Sequence, residues 1–122
     1  MKLQMLLVVI DPTKQAQPAL ERAAWLARQS GAAIELLACE YHATLEGSSL
    51  FKPGSREKAR EHLLEQRKEW LETLAAPLRA EGLQVQTAVR WGKPLHEVVL
   101  ARADELQPDV LLKAASDHGA LS

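Results

Sequence analysis

The stretch Met5-Leu6-Leu7-Val8-Val9-Ile10-Asp11, followed by Pro12 and Thr13, decides the fold. An apolar run stops abruptly at a carboxylate. A short run of this kind with β-branched residues suits a strand buried on both faces, as in a parallel sheet. Periodicity alone does not separate it from buried helix. The Asp-Pro punctuation favours the strand, because the residue before a proline avoids the helical region. An acid at the carboxyl end of a central parallel strand stands where open α/β sheets take ligands. Asp11 has a second reading, as a residue that only turns the chain and caps the next helix.

Outward from this strand, the spacing alternates between helix and strand. Ala16, Ala19, Leu20, Ala23, Ala24 and Ala27 recur at helical period and predict a first helix over Ala16 to Ser30, stopped by Gly31. Its alanine face allows close approach to a sheet. Ile34 to Glu40 reads as the second strand, and Tyr41 to Gly54 as a long loop, functional or mobile. Ser55 reads as the N-cap of a long helix from Arg56 to Ala80, with Pro77 expected to kink or end it near Ala76. Leu83 to Trp91 alternates, which suits an edge strand. Gly92-Lys93-Pro94 opens a third helix with Pro94 in its first position, and Asp109 to Lys113 is a short fourth strand. Strands separated by helices imply an α/β fold, an open parallel sheet with right-handed crossovers and helices on both faces.

The totals fit one soluble domain over residues 1–122. Apolar residues make up 47% and charged residues 25% of 122, and fifteen bases nearly cancel sixteen acids. That balance points to neither a nucleic-acid nor a membrane partner. The single Cys39 allows no internal disulfide and fits a reducing compartment, so a cytoplasmic location is expected. No apolar segment approaches the roughly 18–20 residues needed to span a bilayer.

Four places together resemble the universal stress protein family over the whole length. They are Val8-Val9-Ile10-Asp11 before an Ala-rich helix, Gly31 before the strand Ile34 to Cys39, Trp91-Gly92-Lys93-Pro94, and Gln107-Pro108-Asp109-Val110-Leu111-Leu112. Asp11-Pro12, Gln17-Pro18-Ala19-Leu20 and Leu112-Lys113 resemble most the amino-terminal domain of a tandem, E-type member. The resemblance implies the family's adenine nucleotide alpha-hydrolase-like fold, with five parallel strands in the order 3-2-1-4-5. Four strands are readable here, so the domain is expected to be incomplete, with the fifth strand and its helix missing. An unpaired fourth strand would invite self-association, as a homodimer or by exchange of an edge strand or domain, or a second universal stress protein domain.

The resemblance also implies a remnant nucleotide site. Asp11 matches the adenosine-contacting aspartate and Cys39 the apolar position beside the adenine. Lys113 and Ala114 stand where the family has methionine and the first phosphate-loop glycine. Asp117 stands where the second glycine would be, and a carboxylate there would repel phosphate. Gly119 could serve instead if the loop is longer. With the loop altered, Asp11 is preferred as a turn and cap residue. Lys113 could neutralise an anion, but pairing with Asp11 across strand ends is the preferred reading.

The other candidates carry less. His42, His62, His96 and His118 share no metal-ligand spacing and are expected to face solvent. Ser116, Asp117 and His118 lack the elbow of a nucleophilic triad. Cys39 reads as a buried inert thiol, and Trp25, Trp70 and Trp91 as packing residues on separate elements. Arg56, Lys58, Arg60, Arg67 and Lys68 alternate with glutamates as a solvated helical face of i, i+4 pairs. The expected function is a non-enzymatic stress-response module with a degenerate nucleotide site and no cofactor, acting through dimerisation or partner binding. The alternative is a module that keeps an adenosine or ATP pocket at Asp11. A small hydrolase or thiol enzyme comes last.

Overall fold

A computed structural model describes residues 2–42 and 54–114. Strands β1 (Met5–Val9), β2 (Ala33–Glu40), β3 (Val85–Trp91) and β4 (Val110–Lys113) form one sheet. All its pairs are parallel and its order is β3-β2-β1-β4. Helices α1 (Pro18–Ser30), α2 (Ser55–Ala80) and α3 (Leu95–Leu106) connect them. The expected α/β architecture therefore holds, with β3 at an edge as the alternation implied.

The two faces of the sheet are covered unequally. Leu6, Val8, Ile34, Leu36 and Ala38 are buried against α1 and α2. The buried side of α1 is made of Ala19, Ala23, Ala24 and Ala27, so the helix lies close to the strands. On the other face Leu7, Val9, Leu37 and Ala88 pack with Val99 of α3. Each face thus has its own apolar cluster, and β1 contributes to both.

Helix ends differ from expectation in four places. α1 begins at Pro18, not Ala16, because Gln17 occupies the N-cap. α2 starts at Ser55, which is helical; the cap is Gly54 in the left-handed region at φ 87°, a conformation a serine would adopt only with strain. The same helix continues through Pro77 to Ala80. Pro77 and Thr73, whose carbonyl loses its partner, are both on the exposed side, where water can answer the missing bond. Pro94 is the N-cap of α3 instead of its first residue, and its carbonyl accepts from Glu97 and Val98.

Two polar devices tie the elements together. At the start of β4, the Asp109 side chain accepts from the N–H groups of Gln4 and Met5 at 2.8 and 2.9 Å. Beneath α3, Glu35 on β2 is 1% exposed. Arg102 of α3 donates to both its oxygens, at 2.6 and 2.7 Å, and Gln86 of β3 donates at 2.6 Å. Burial pushes the Glu35 carboxyl up, but the bonds from Arg102 and Gln86 outweigh it and hold it below its ordinary 4.5. Trp25 departs from the packing role expected for it: it is 53% exposed, since alanines fill the buried side of α1. Arg67 likewise leaves the solvated face of α2, pairing with Glu40 and lying 5.0 Å over the Trp70 ring.

Removing Arg102 would strand a buried carboxylate. Arg102→Ala is expected to lower the unfolding free energy at the lower end of the roughly 3–5 kcal/mol typical of a broken buried pair, read by urea denaturation. The joint change Glu35→Leu with Arg102→Leu should recover most of that loss. Because the folded carboxyl titrates below its unfolded value, this contribution is complete above about pH 4.5 and fades as pH falls through the lower folded value.

Candidate ligand cleft

The carboxyl ends of β1, β2 and β4, with the β3–α3 connection, enclose a cleft of about 530 Å³. That volume is in the range of small-molecule sites. Asp11, Cys39, Lys113 and Ala114, four of the five residues singled out from the sequence, line it together. The fifth, Asp117, lies outside the described residues, as do Ser116, His118 and Gly119.

Asp11 owes its position to a local turn. Its Oδ1 accepts from the Thr13 N–H at 2.9 Å and the Thr13 hydroxyl at 2.6 Å. Gln17, buried at 9% exposure, fastens this turn: its amide donates to the carbonyls of Asp11 and Lys14, and its Oε1 accepts from the Asp11 N–H. Asp11 therefore turns the chain as expected, but it does not cap α1. The pair expected with Lys113 is not among the ion pairs of the described residues. The Thr13 hydroxyl bond, then the Thr13 N–H bond, hold the Asp11 carboxyl below its ordinary 3.8, and attraction to Lys113 is the weakest contribution. A short-range turn has claimed the carboxylate before the neighbouring strand could. Both Thr13 bonds go to Oδ1, and Asp11 lines the cleft.

Cys39, at the end of β2, is partly buried, and burial pushes its thiol up to about 11. Beside it Glu40 accepts from Arg67 and lies 3.2 Å from His42 Nε2. The β2–β3 register places Glu40 opposite Trp91, and around that tryptophan the structure gathers what the sequence left apart. His42 stacks on Trp91 at 5.7 Å and 18°, so it is not simply solvent-facing. Tyr41 lies 6.0 Å from the same ring, with Arg60 at 5.8 Å. Lys93 Nζ sits 4.9 Å over Tyr41. Tyr41, Glu40 and Lys93 were not anticipated as site residues. The available signal was Trp91-Gly92-Lys93-Pro94, read only as the start of a helix.

Among the described residues no group of three His, Cys, Asp or Glu could hold a metal ion, and no helix is long and apolar enough to cross a membrane.

A parallel sheet of this order, with helices on both faces and a cleft at the strand carboxyl ends, defines the open α/β class. The family within that class follows from comparison with known proteins. The model of the Universal stress protein family matches residues 3–122, and the chain belongs to that family. Universal stress protein E of Salmonella typhi is 31% identical over 118 residues, in line with the E-type resemblance. The match takes in 97% of this chain and 38% of that protein, so the chain spans well under half the length of this relative. Among solved structures, a universal stress protein family member from Burkholderia pseudomallei has a TM-score of 0.71 at 16% identity, covering 93% of this chain and 82% of its own. A universal stress protein solved in complex with cAMP has a TM-score of 0.59 at 18% identity, covering 91% and 71%. At these identities the structures show a shared fold.

The Asp11 turn gives a direct test. Asp11→Ala is expected to cost about 1 kcal/mol in thermal or urea unfolding, the net worth of such bonds at a partly exposed site. Asp11→Asn, which keeps an acceptor for Thr13, should recover most of it. Since the folded carboxyl titrates below 3.8, the aspartate's contribution is present above that pH and is lost as pH falls below it.

Proposed function

We propose that this domain is a non-enzymatic, cytoplasmic stress-response module that binds a nucleoside of the adenosine class in the cleft. One observation carries the reading: the cleft brings Asp11 and Cys39 together with apolar walls from Val9, Ile10 and Leu95. In this reading the Asp11 carboxylate accepts from a ribose hydroxyl, and the apolar wall beside Cys39 takes the base. The family supplies the stress-response role, and the relative solved with cAMP is one member whose fold accepts an adenine nucleotide.

The described groups favour binding over chemistry. Cys39 holds its proton far above neutrality, Glu40 is engaged by Arg67, and Asp11 is engaged by Thr13. None of the three is poised as nucleophile or base. Calorimetric titration with adenosine is expected to show saturable binding, lost in Ala114→Phe, which projects a ring from the cleft wall. Incubation with ATP should release no phosphate. Absence of adenosine binding, or ATP turnover that Ala114→Phe abolishes, overturns the proposal.

A separate observation favours association. Among the described residues β4 pairs only with β1, and Leu111 on β4 and Leu100 on α3 are 39% and 62% exposed. A second copy, or a second universal stress protein domain, would cover them. Light scattering at high micromolar concentration is expected to give a mass above the 13.5 kDa of one chain, reduced by Leu111→Lys. A monomer throughout the titration contradicts this reading.

A further inference from the structure

We infer that Arg79 and Arg90 close the β3 edge of the sheet to pairing with a second copy of this chain. The inference extends the association reading above: it concerns where association stops, not where it starts.

Among the described residues β3 is an edge strand, paired only with β2. It has seven residues, against four in β4, so it is the longer of the two edges. Its segment Val85-Gln86-Thr87-Ala88-Val89-Arg90-Trp91 is rich in strand-forming side chains and has no proline or glycine. Such a segment on an open edge is a template for another chain. The pairing with β2 fixes which backbone groups β3 presents. The Ile34 N–H donates to the Gln84 carbonyl, and the Gly92 N–H donates to the Glu40 carbonyl. Even-numbered positions therefore turn their backbone groups toward β2. Val85, Thr87 and Val89 turn theirs away from the sheet.

Two arginines answer the outward carbonyls on either side of Thr87. Arg79, in the last turn of α2, donates from Nε to the Val85 carbonyl at 3.0 Å. Arg90 donates from its guanidinium to the Val89 carbonyl at 3.2 Å. Arg79 is itself held in place. Glu72 accepts from its other nitrogens at 2.6 and 3.4 Å, and from the Thr87 hydroxyl at 2.7 Å. Arg79 first, then Thr87, hold the Glu72 carboxyl down to about 2, so this bracket stays ionised at ordinary pH. Arg90 lies 3.7 Å from Glu105 of α3. One arginine thus ties the edge to α2 and the other leans it toward α3.

An incoming strand would have to displace both. Its N–H groups are neutral donors, and a charge-assisted bond is roughly twice as strong as a neutral one. Pairing would also draw two guanidinium groups, 39% and 42% exposed, out of water. A second copy adds repulsion to this cost. In an antiparallel pair centred on Thr87, Val85 of one copy faces Val89 of the other, which brings Arg79 toward Arg90. Like charges set opposite each other across a strand pair are destabilising. A sheet with two pairable edges can add copies at both and grow without end, whereas one closed edge stops growth at a pair.

The test follows mass with time by light scattering on the intact chain at high micromolar concentration. The parent is expected to hold a constant mass. Arg79→Ser combined with Arg90→Ser, which adds no apolar side chain, should climb to several times that mass and develop an infrared band of intermolecular β-sheet. Arg79→Lys combined with Arg90→Lys keeps both charges and should stay at the parent's mass. Thr87→Pro, added to the serine pair, removes an outward N–H that β2 does not use and should abolish the growth. A melting temperature well above that of the assay checks that folded chains are associating. If the serine pair falls short of that, Arg79→Gln combined with Arg90→Gln, which keeps more of the stems, takes its place. A neutral pair that stays at the parent's mass overturns the inference, as does growth in the lysine pair or growth that Thr87→Pro leaves intact. A parent that is monomeric throughout removes the association reading alone, and the edge is still judged by the growth of the neutral pair.

Discussion

Everything in this domain hangs on β1 being enclosed. It is hydrogen-bonded to β2 on one side and β4 on the other, and it feeds side chains into the apolar clusters on both faces. Such a strand has no side on which a charge can be solvated, so Leu6 to Ile10 must be apolar. The first charge the chain can tolerate is at the strand's carboxyl end. Asp11 therefore marks both the limit of the core and the floor of the cleft.

The cleft's chemistry follows from how its acids are satisfied. A free carboxylate pair could do acid–base work, but here each acid has been given partners by nearby sequence or by a neighbouring helix. Thr13 is two residues from Asp11, and Arg67 comes down from α2 to Glu40. The result is a pocket whose two acids are both held by partners from the protein itself.

The order of elements was legible because period-2 and helical spacings are strong, local signals, and the Met5–Asp11 run left little choice of topology. Helix ends were less legible. Ser55 looked like a cap, but Gly54 takes the left-handed position and moves the boundary by one residue. Glu35 was hidden for a different reason. It sits in an apolar strand that reads as core, and only the arrival of Arg102, far along the chain, makes its burial tolerable. The aromatic group around Trp91 depends on the β2–β3 register, which places Glu40 beside Trp91 and which no single stretch of sequence states. Asp11 and Cys39 were readable as cleft residues through family resemblance. Tyr41 and Lys93 were not, because their contact is made across two connections.

The Asp109 clamp has a kinetic meaning. It joins residues 104 and 105 positions apart, the two ends of the described chain. Neighbouring strands β1 and β2 pair after a short excursion, whereas β1 and β4 pair across most of the sequence. Loop-closure entropy makes such a contact the hardest to form early, and distant pairings slow folding generally. The cleft takes one wall from β1 and another from β4, so it exists only once this last closure is made. Ligand occupancy would then report completed folding, and a partly folded chain, with β4 unclamped, would have no site to fill.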